Sequence, residues 1–371
     1  MTLSTLIVAS ALIQPRPYLL LGERSRRITP RPVVASFDAN NKPFTLAADG
    51  TVRFFDNPLL DPVRLGKISE ADTPQFDLTS EQKKDVADAI KAHKAMWGDI
   101  PWNQFAGLIF VPRPGFAEFG LTDRHNKIWF YSTQDGKLLR KLALKYKKPT
   151  PFAPIEFSMT NDGAYVLTRN SHTRMAYIFD GKSGSELYSF PVKIFDIPML
   201  SATGEFYIMK NTILEVYDLK SGEKKSPDIK LVGDECGSGV VSPDGKLIAY
   251  ANYMKGQRAG SMILDLATGK SRPIVATLKM FRPKFFTPDS KEVIMHEPRF
   301  LHFVDVATGQ HTRSYNSGYP DIWDTIDDLS FSPDGKNLAL IPNHAVDPFV
   351  DYFCLVDLTQ KAVRKVDKIG P

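Results

Sequence analysis

Four of the seven histidines in this 371-residue chain share a context. His125, His172, His296 and His344 each fall between two apolar runs, where one strand would turn into the next. Neutral imidazole is the commonest metal ligand, so four converging histidines could hold a metal ion. The spacing speaks against it. No His-x-His or His-x-x-Glu-His pattern occurs, and Cys236 and Cys354 have neither zinc-site nor haem-attachment spacing. No metal and no cofactor is expected. Cations gather at the same places: Arg124 beside His125, Arg169 and Arg174 around His172, then Lys255, Arg258 and Arg299. Charge of one sign on one side of a molecule attracts an acidic protein or an anionic polymer. Nucleophile and phosphate-cradle motifs are absent. Gly237-Ser238-Gly239 is glycine-rich, but its place at the start of an inner strand favours close packing.

What positions these residues is a repeat. Ser242-Pro243-Asp244-Gly245-Lys246 opens one apolar run, and a second run ends in Asp265-Leu266-Ala267-Thr268-Gly269. The order returns from Ser332 to Asp357 and, more loosely, from Thr287 to Asp305. In the first turn Pro sets φ, Asp suits the next position, and Gly takes the position needing positive φ. The second turn has Asp before it, whose side chain can bond the turn's N–H groups. Third strands end at Asp56, Asp180, Asp218, Asp265, Asp305 and Asp357, with Ser132 in the same role between the first two. Turn, strand, strand, turn at this period means a β-propeller. The expected fold is all-β: a seven-bladed propeller of four-stranded antiparallel blades over residues 31–371, the last closed by Ala362 to Ile369.

The pattern resembles the Trp-Asp-repeat propellers in decayed form: apolar third strand, Asp, two residues, Thr/Ser-Gly, as in Val216-Tyr217-Asp218-Leu219-Lys220-Ser221-Gly222. The residue before Asp is Phe55, Phe179, Tyr217, Leu264, Val304 or Val356, never Trp, and the opening Gly-His pair is missing. The buried Asp-His-Ser-Trp network of that family therefore cannot form.

One stretch breaks the repeat. Thr79-Ser80-Glu81-Gln82 is a capping box, and Val86, Ile90, His93 and Trp97 then recur at helical spacing before Gly98. A helix over Ser80–Trp97 is expected, within an insertion of about 69–103 between blades one and two. In a four-stranded meander, the two–three loops and the blade-to-blade connections leave from one face. That face collects the helix, the four histidines and the cations, together with the acids Asp99, Asp321, Asp324, Asp327 and Asp328.

Residues 1–30 read as an arm, a signal or a linker. Leu3 to Ile13 is apolar, but no Lys or Arg precedes it, and it is too short to span a membrane as a helix. This favours a cytoplasmic protein over an exported one. Tyr18 to Ile28 either adds a strand to a blade edge or links. The net charge of +5 is too small to argue for nucleic-acid binding. Cys236 and Cys354 fall in different blades and are expected unpaired. The leading function is a non-catalytic scaffold presenting the basic, helix-bearing face to a protein or anionic partner. Fold analogy also leaves room for an enzyme (hydrolase, lyase or oxidoreductase) with its site at the mouth of the central channel. A third reading is a structural component of an envelope or surface assembly.

Overall fold

Side-chain hydrogen bonds made within each turn reverse the chain locally. In the first turn of the repeat Ser242 Oγ donates to Asp244 Oδ1 at 2.6 Å, and the Lys246 and Leu247 N–H groups donate to Asp244 Oδ1 and Ser242 Oγ at 3.1 and 2.9 Å. Ser332 and Asp334, Thr287 and Asp289, and Thr160 and Asp162 repeat the pattern. In the second turn Asp180 Oδ1 accepts from Ser183 N–H and Oγ, both at 2.7 Å, and Asp218, Asp265, Asp305 and Asp357 do likewise for their own turns. Where these hydrogen bonds favour the ionised form, they hold the Asp180, Asp218, Asp265 and Asp305 carboxyls below the usual range. These acids are structural.

The computed structural model describes residues 18–21, 32–47, 51–55, 64–67, 109–112, 118–122, 127–147, 156–160, 162–170, 174–193, 195–274, 282–297, 300–316, 326–342 and 353–359. Its strands form four-stranded antiparallel sheets, seven in number. The first holds β2 (Pro32–Phe37), β3 (Pro43–Ala47), β4 (Thr51–Phe54) and β5 (Arg64–Lys67). The second holds β6 (Ile109–Pro112), β7 (Glu118–Thr122), β8 (Lys127–Ser132) and β9 (Leu138–Ala143). The third holds β10 (Glu156–Met159), β11 (Tyr165–Asn170), β12 (Met175–Asp180) and β13 (Glu186–Pro191). The fourth holds β14 (Ile197–Leu200), β15 (Glu205–Lys210), β16 (Ile213–Asp218) and β17 (Lys224–Lys230). The fifth holds β18 (Glu235–Val241), β19 (Leu247–Met254), β20 (Gln257–Asp265) and β21 (Lys270–Pro273). The sixth holds β22 (Arg282–Phe286), β23 (Glu292–Glu297), β24 (Phe300–Asp305) and β25 (His311–Asn316). The last holds β26 (Ile326–Phe331), β27 (Asn337–Pro342) and β28 (Phe353–Asp357), with β1 (Tyr18–Leu21) beyond β28.

The sheets stack as a β-propeller, and the core lies between them. Phe44, Phe119 and Tyr131 join the first sheet to the second, and Ile128, Val166 and Phe179 join the second to the third. Similar clusters continue to the sixth sheet. Tyr315 of the sixth donates its hydroxyl to the Leu358 carbonyl of the last at 3.5 Å. β2 packs on β26 and β27, and Ser36 Oγ lies 2.8 Å from Ser330 Oγ, so first and last sheets meet.

Two expectations need correction. The fourth strand of the last sheet is β1, which pairs with β28, Tyr18 opposite Val356 and Leu21 opposite Phe353, while Ala362–Ile369, expected in that place, lies outside the described residues. Segments far apart in the sequence, β1 and β28, thus meet in one sheet. Asp327 and Asp328 lie within β26, not in a connection. The helix expected over Ser80–Trp97 falls outside the described residues, as do Asp99, Asp321 and Asp324. Cys236 is unpaired and buried in β18, and burial pushes its thiol up to about 12. Cys354 lies in β28, opposite Leu340.

The second-turn glycines also set how close neighbouring sheets come. Gly222 has φ +74°, and a Cβ there would overlap the Tyr188 ring of the preceding sheet. Gly256 has φ +73° with nothing near its Cβ position. Gly256→Ala should therefore cost only the backbone strain of about 1 kcal/mol. Gly222→Ala should cost roughly 2–4 kcal/mol, because overpacking is added. Urea unfolding of both variants checks this; equal losses would mean that φ alone explains the glycine.

Candidate functional site

The two–three loops are where the sequence placed its binding residues. Arg174 ends the β11–β12 loop, exposed, with φ 53°. Lys255 forms the β19–β20 hairpin with Gly256, also exposed, with φ 50°; its N–H donates to Asp234 Oδ2 at 2.9 Å. Arg169 lies inside β11, half-buried opposite Ala176, and so is not a loop residue. Arg258 sits in β20 opposite Tyr253. His296 is half-buried in β23 opposite Leu301, again a strand position. Arg124, His125, His172, Arg299 and His344 fall outside the described residues. No group of three or more His, Cys, Asp or Glu suited to a metal occurs among the described residues.

Both faces carry cations with and without an ion pair among the described residues; on the loop face Lys210 pairs with Glu215 at 2.6 Å. On the turn face, four lysines of the repeat stand beside an acid, Lys137 with Asp135 at 3.0 Å, Lys246 with Asp244 at 3.9 Å, Lys291 with Asp289 at 3.7 Å and Lys336 with Asp334 at 3.8 Å, whereas the exposed Lys182, Lys220 and Lys270 make no ion pair among the described residues. On the loop face neither Arg174 nor Lys255 makes an ion pair among the described residues.

The loop face also carries apolar groups that sequence reading missed. Of the five large hydrophobic side chains exposed among the described residues, four lie there: Phe195, Ile213, Val232 and Met254. Phe195 and Val232 are in sheet-to-sheet connections, Ile213 and Met254 beside two–three loops. Phe195, 77% exposed, is held out by a tight turn. Lys193 N–H donates to Asp196 Oδ2 at 2.7 Å, Asp196 N–H donates back to the Lys193 carbonyl at 3.1 Å, and Asp196 is buried. Val232 is anchored through its N–H, which donates to the Tyr250 hydroxyl at 3.0 Å. Nothing in the local sequence marks these residues as exposed, since the same types fill the core.

A second arrangement lies within the sixth sheet. His302 of β24 is 1% exposed and faces Ser314 of β25. Ser314 Oγ lies 2.7 Å from His302 Nδ1 and 2.6 Å from His311 Nε2. A hydroxyl has one proton, so Ser314 donates to one imidazole and accepts N–H from the other. This links a buried imidazole to the half-buried His311. Burial, then the nearby His311 and His296, lowers the His302 pKa to about 3; burial also lowers that of His311.

No protein-family model matches the chain, and no curated protein matches it. Among solved structures it is similar to the hydrazine synthase of Kuenenia stuttgartiensis, at 18% identity over 62% of this chain and 72% of that one, with a TM-score of 0.45.

The histidine pair makes stability depend on pH. An unfolded histidine titrates near 6.5, whereas His302 in the fold takes its proton only near pH 3. Between those values the unfolded state binds more protons, so stability is full above about pH 6.5 and falls as pH drops toward 3. The slope should approach about 1.4 kcal/mol per pH unit for this one group. Urea midpoints at pH 7 and pH 5 should differ less in His302→Asn than in the parent; the same difference in both would assign the acid loss to other groups.

Proposed function

We propose that the chain is a non-catalytic binding scaffold, a seven-bladed propeller of the degenerate Trp-Asp-repeat kind. It presents its two–three loop face to a protein partner whose surface combines acidic and apolar groups. The observation that carries the reading is the coincidence, on that face, of exposed cations without an ion pair among the described residues (Arg174, Lys255) and outward-held apolar side chains (Phe195, Met254). Contacts between proteins draw on both: apolar groups exclude water at the centre, and charges steer the approach and fix the register. The opposite face is made of short turns, and four of its lysines stand beside acids. Loops of variable sequence on a rigid support are where binding residues usually concentrate.

Salt and mutation separate the two contributions. Exposed charges act over about 8 Å at physiological salt. Arg174→Glu with Lys255→Glu should weaken binding to heparin, an anionic probe, severalfold more than Lys246→Glu with Lys336→Glu, and added salt should shrink the difference. Phe195→Ser should leave heparin binding unchanged while reducing capture of a protein partner. Equal losses from both charge pairs would show that net charge alone drives binding.

A further inference from the structure

Between the outer edges of the fifth and sixth sheets lies a cavity of about 560 Å³. Its walls include Met254, Met262 and Ile274, with Gly260, Arg272 and Asn252. Asn252 is 5% exposed, and its buried Oδ1 has no hydrogen-bond partner among the described residues. Buried acceptors in folded proteins are nearly always satisfied, so an orphan at a cavity wall marks a position that a ligand's donor can fill. Gly260 keeps the approach open. It has φ +152°, and its missing Cβ would stand 3.7 Å from Asn252 Oδ1.

The backbone around the cavity narrows the chemistry. β20 runs from Gln257 to Asp265, but β21 pairs with it only over Met262–Asp265, and the last backbone link among the described residues is Ile274 N–H to the Ser261 carbonyl at 2.8 Å. Beyond that link, toward Gln257, no described strand lies against the outer edge of β20, and Ala259 and Gly260 line the cavity. A strand edge beside apolar walls suits an extended peptide, whose backbone groups pair along it while a side chain enters the pocket. Among the described lining residues Arg272 is the one that is charged, and it favours the carboxylate forms of Asp265 and Asp305, so the described lining is mostly uncharged.

We propose that this cavity binds an extended, uncharged peptide segment, with an apolar side chain among Met254, Met262 and Ile274 and a backbone N–H donated to Asn252 Oδ1. Its volume is in the usual range for ligand sites, about 300–1,000 Å³. The site shares Met254 with the loop face but does not use the cations Arg174 and Lys255.

Met254 and Met262 supply the readout. With methyl-¹³C methionine in the full chain, the probe is the capped peptide acetyl-Ala-Leu-Ala-methylamide. Signals are assigned by Met254→Leu and Met262→Leu. Both methyl resonances should shift on titration. Asn252→Leu should weaken the affinity about tenfold, the effect of losing one buried hydrogen bond. Because an unpartnered acceptor is removed, Asn252→Leu should unfold at the same or a higher temperature than the parent. Asn252→Ala serves as a second variant should leucine disturb the packing. Arg174→Glu with Lys255→Glu should leave the affinity unchanged, so the two readings fail separately. The proposal is overturned if the methyl signals stay fixed up to the peptide's solubility, or if both Asn252 variants bind as the parent does. Lower unfolding temperatures in both variants would equally overturn it, by showing that Asn252 already has a structural role. Tighter binding of the same peptide with a free carboxylate, surviving Asn252→Leu, would replace it with an anion site on Arg272.

Discussion

The architecture depends on one turn, made again in successive sheets. An Asp at the end of the third strand accepts hydrogen bonds from the Ser or Thr three residues on, or two in the case of Asp357, and a glycine with positive φ usually follows. This turn reverses the chain and also reaches the preceding sheet. Gly222 lies against the Tyr188 ring, whose hydroxyl donates to the Lys220 carbonyl at 3.0 Å. Gly184 accepts the Lys145 N–H at 2.7 Å, and Glu186 Oε2 accepts the Lys147 N–H at 2.8 Å. Local turn chemistry and the spacing between sheets are therefore the same interaction, which lets sheets of dissimilar sequence stack alike. Each sheet buries its faces only against neighbours, so stability is shared along the ring.

Within sheets, a second device recurs. Glu118, Glu205 and Glu292 each begin a second strand and pair with Arg140, Lys225 and Arg313 of the fourth. The arginines also lie over Phe130 and Phe303 of the third strand, at 3.7 and 4.3 Å. The aromatic face and the carboxylate together hold each guanidinium across the sheet. Charges used this way are spent inside the architecture. The same holds for the turn lysines beside their aspartates, which is why the small net charge says little about where a partner would bind.

The loop face differs because its residues have no such structural duty. Arg174 and Lys255 take left-handed backbone at hairpin tips, and Phe195 stands out from a turn closed by its own neighbours. The Asn252 cavity shares that freedom from structural duty, since its acceptor meets no partner among the described residues. The Ser314 hydroxyl shows the opposite case, satisfied twice by His302 and His311 and closed off from solvent.

What the sequence determined by itself was whatever rests on neighbours along the chain. The side chains of Ser242 and Asp244 bond within five residues, as do those of Asp265 and Thr268, so strand ends and the repeat could be read directly. The grouping of Arg174 and Lys255 on one face followed too, because a meander fixes which loops leave from which end. Tertiary structure alone decided the rest. Tyr18–Leu21 carries no mark of the strand it completes at Phe353–Val356, since pairing distant segments depends on how the ring closes. Arg169 and His296 moved from loops into strands because hairpin length is set by register across the sheet. Ser314 meets His302 only through that same register. The exposure of Phe195 and the orphaned Asn252 acceptor reflect what fails to pack beside them, and a missing neighbour leaves no trace in a linear string of residues.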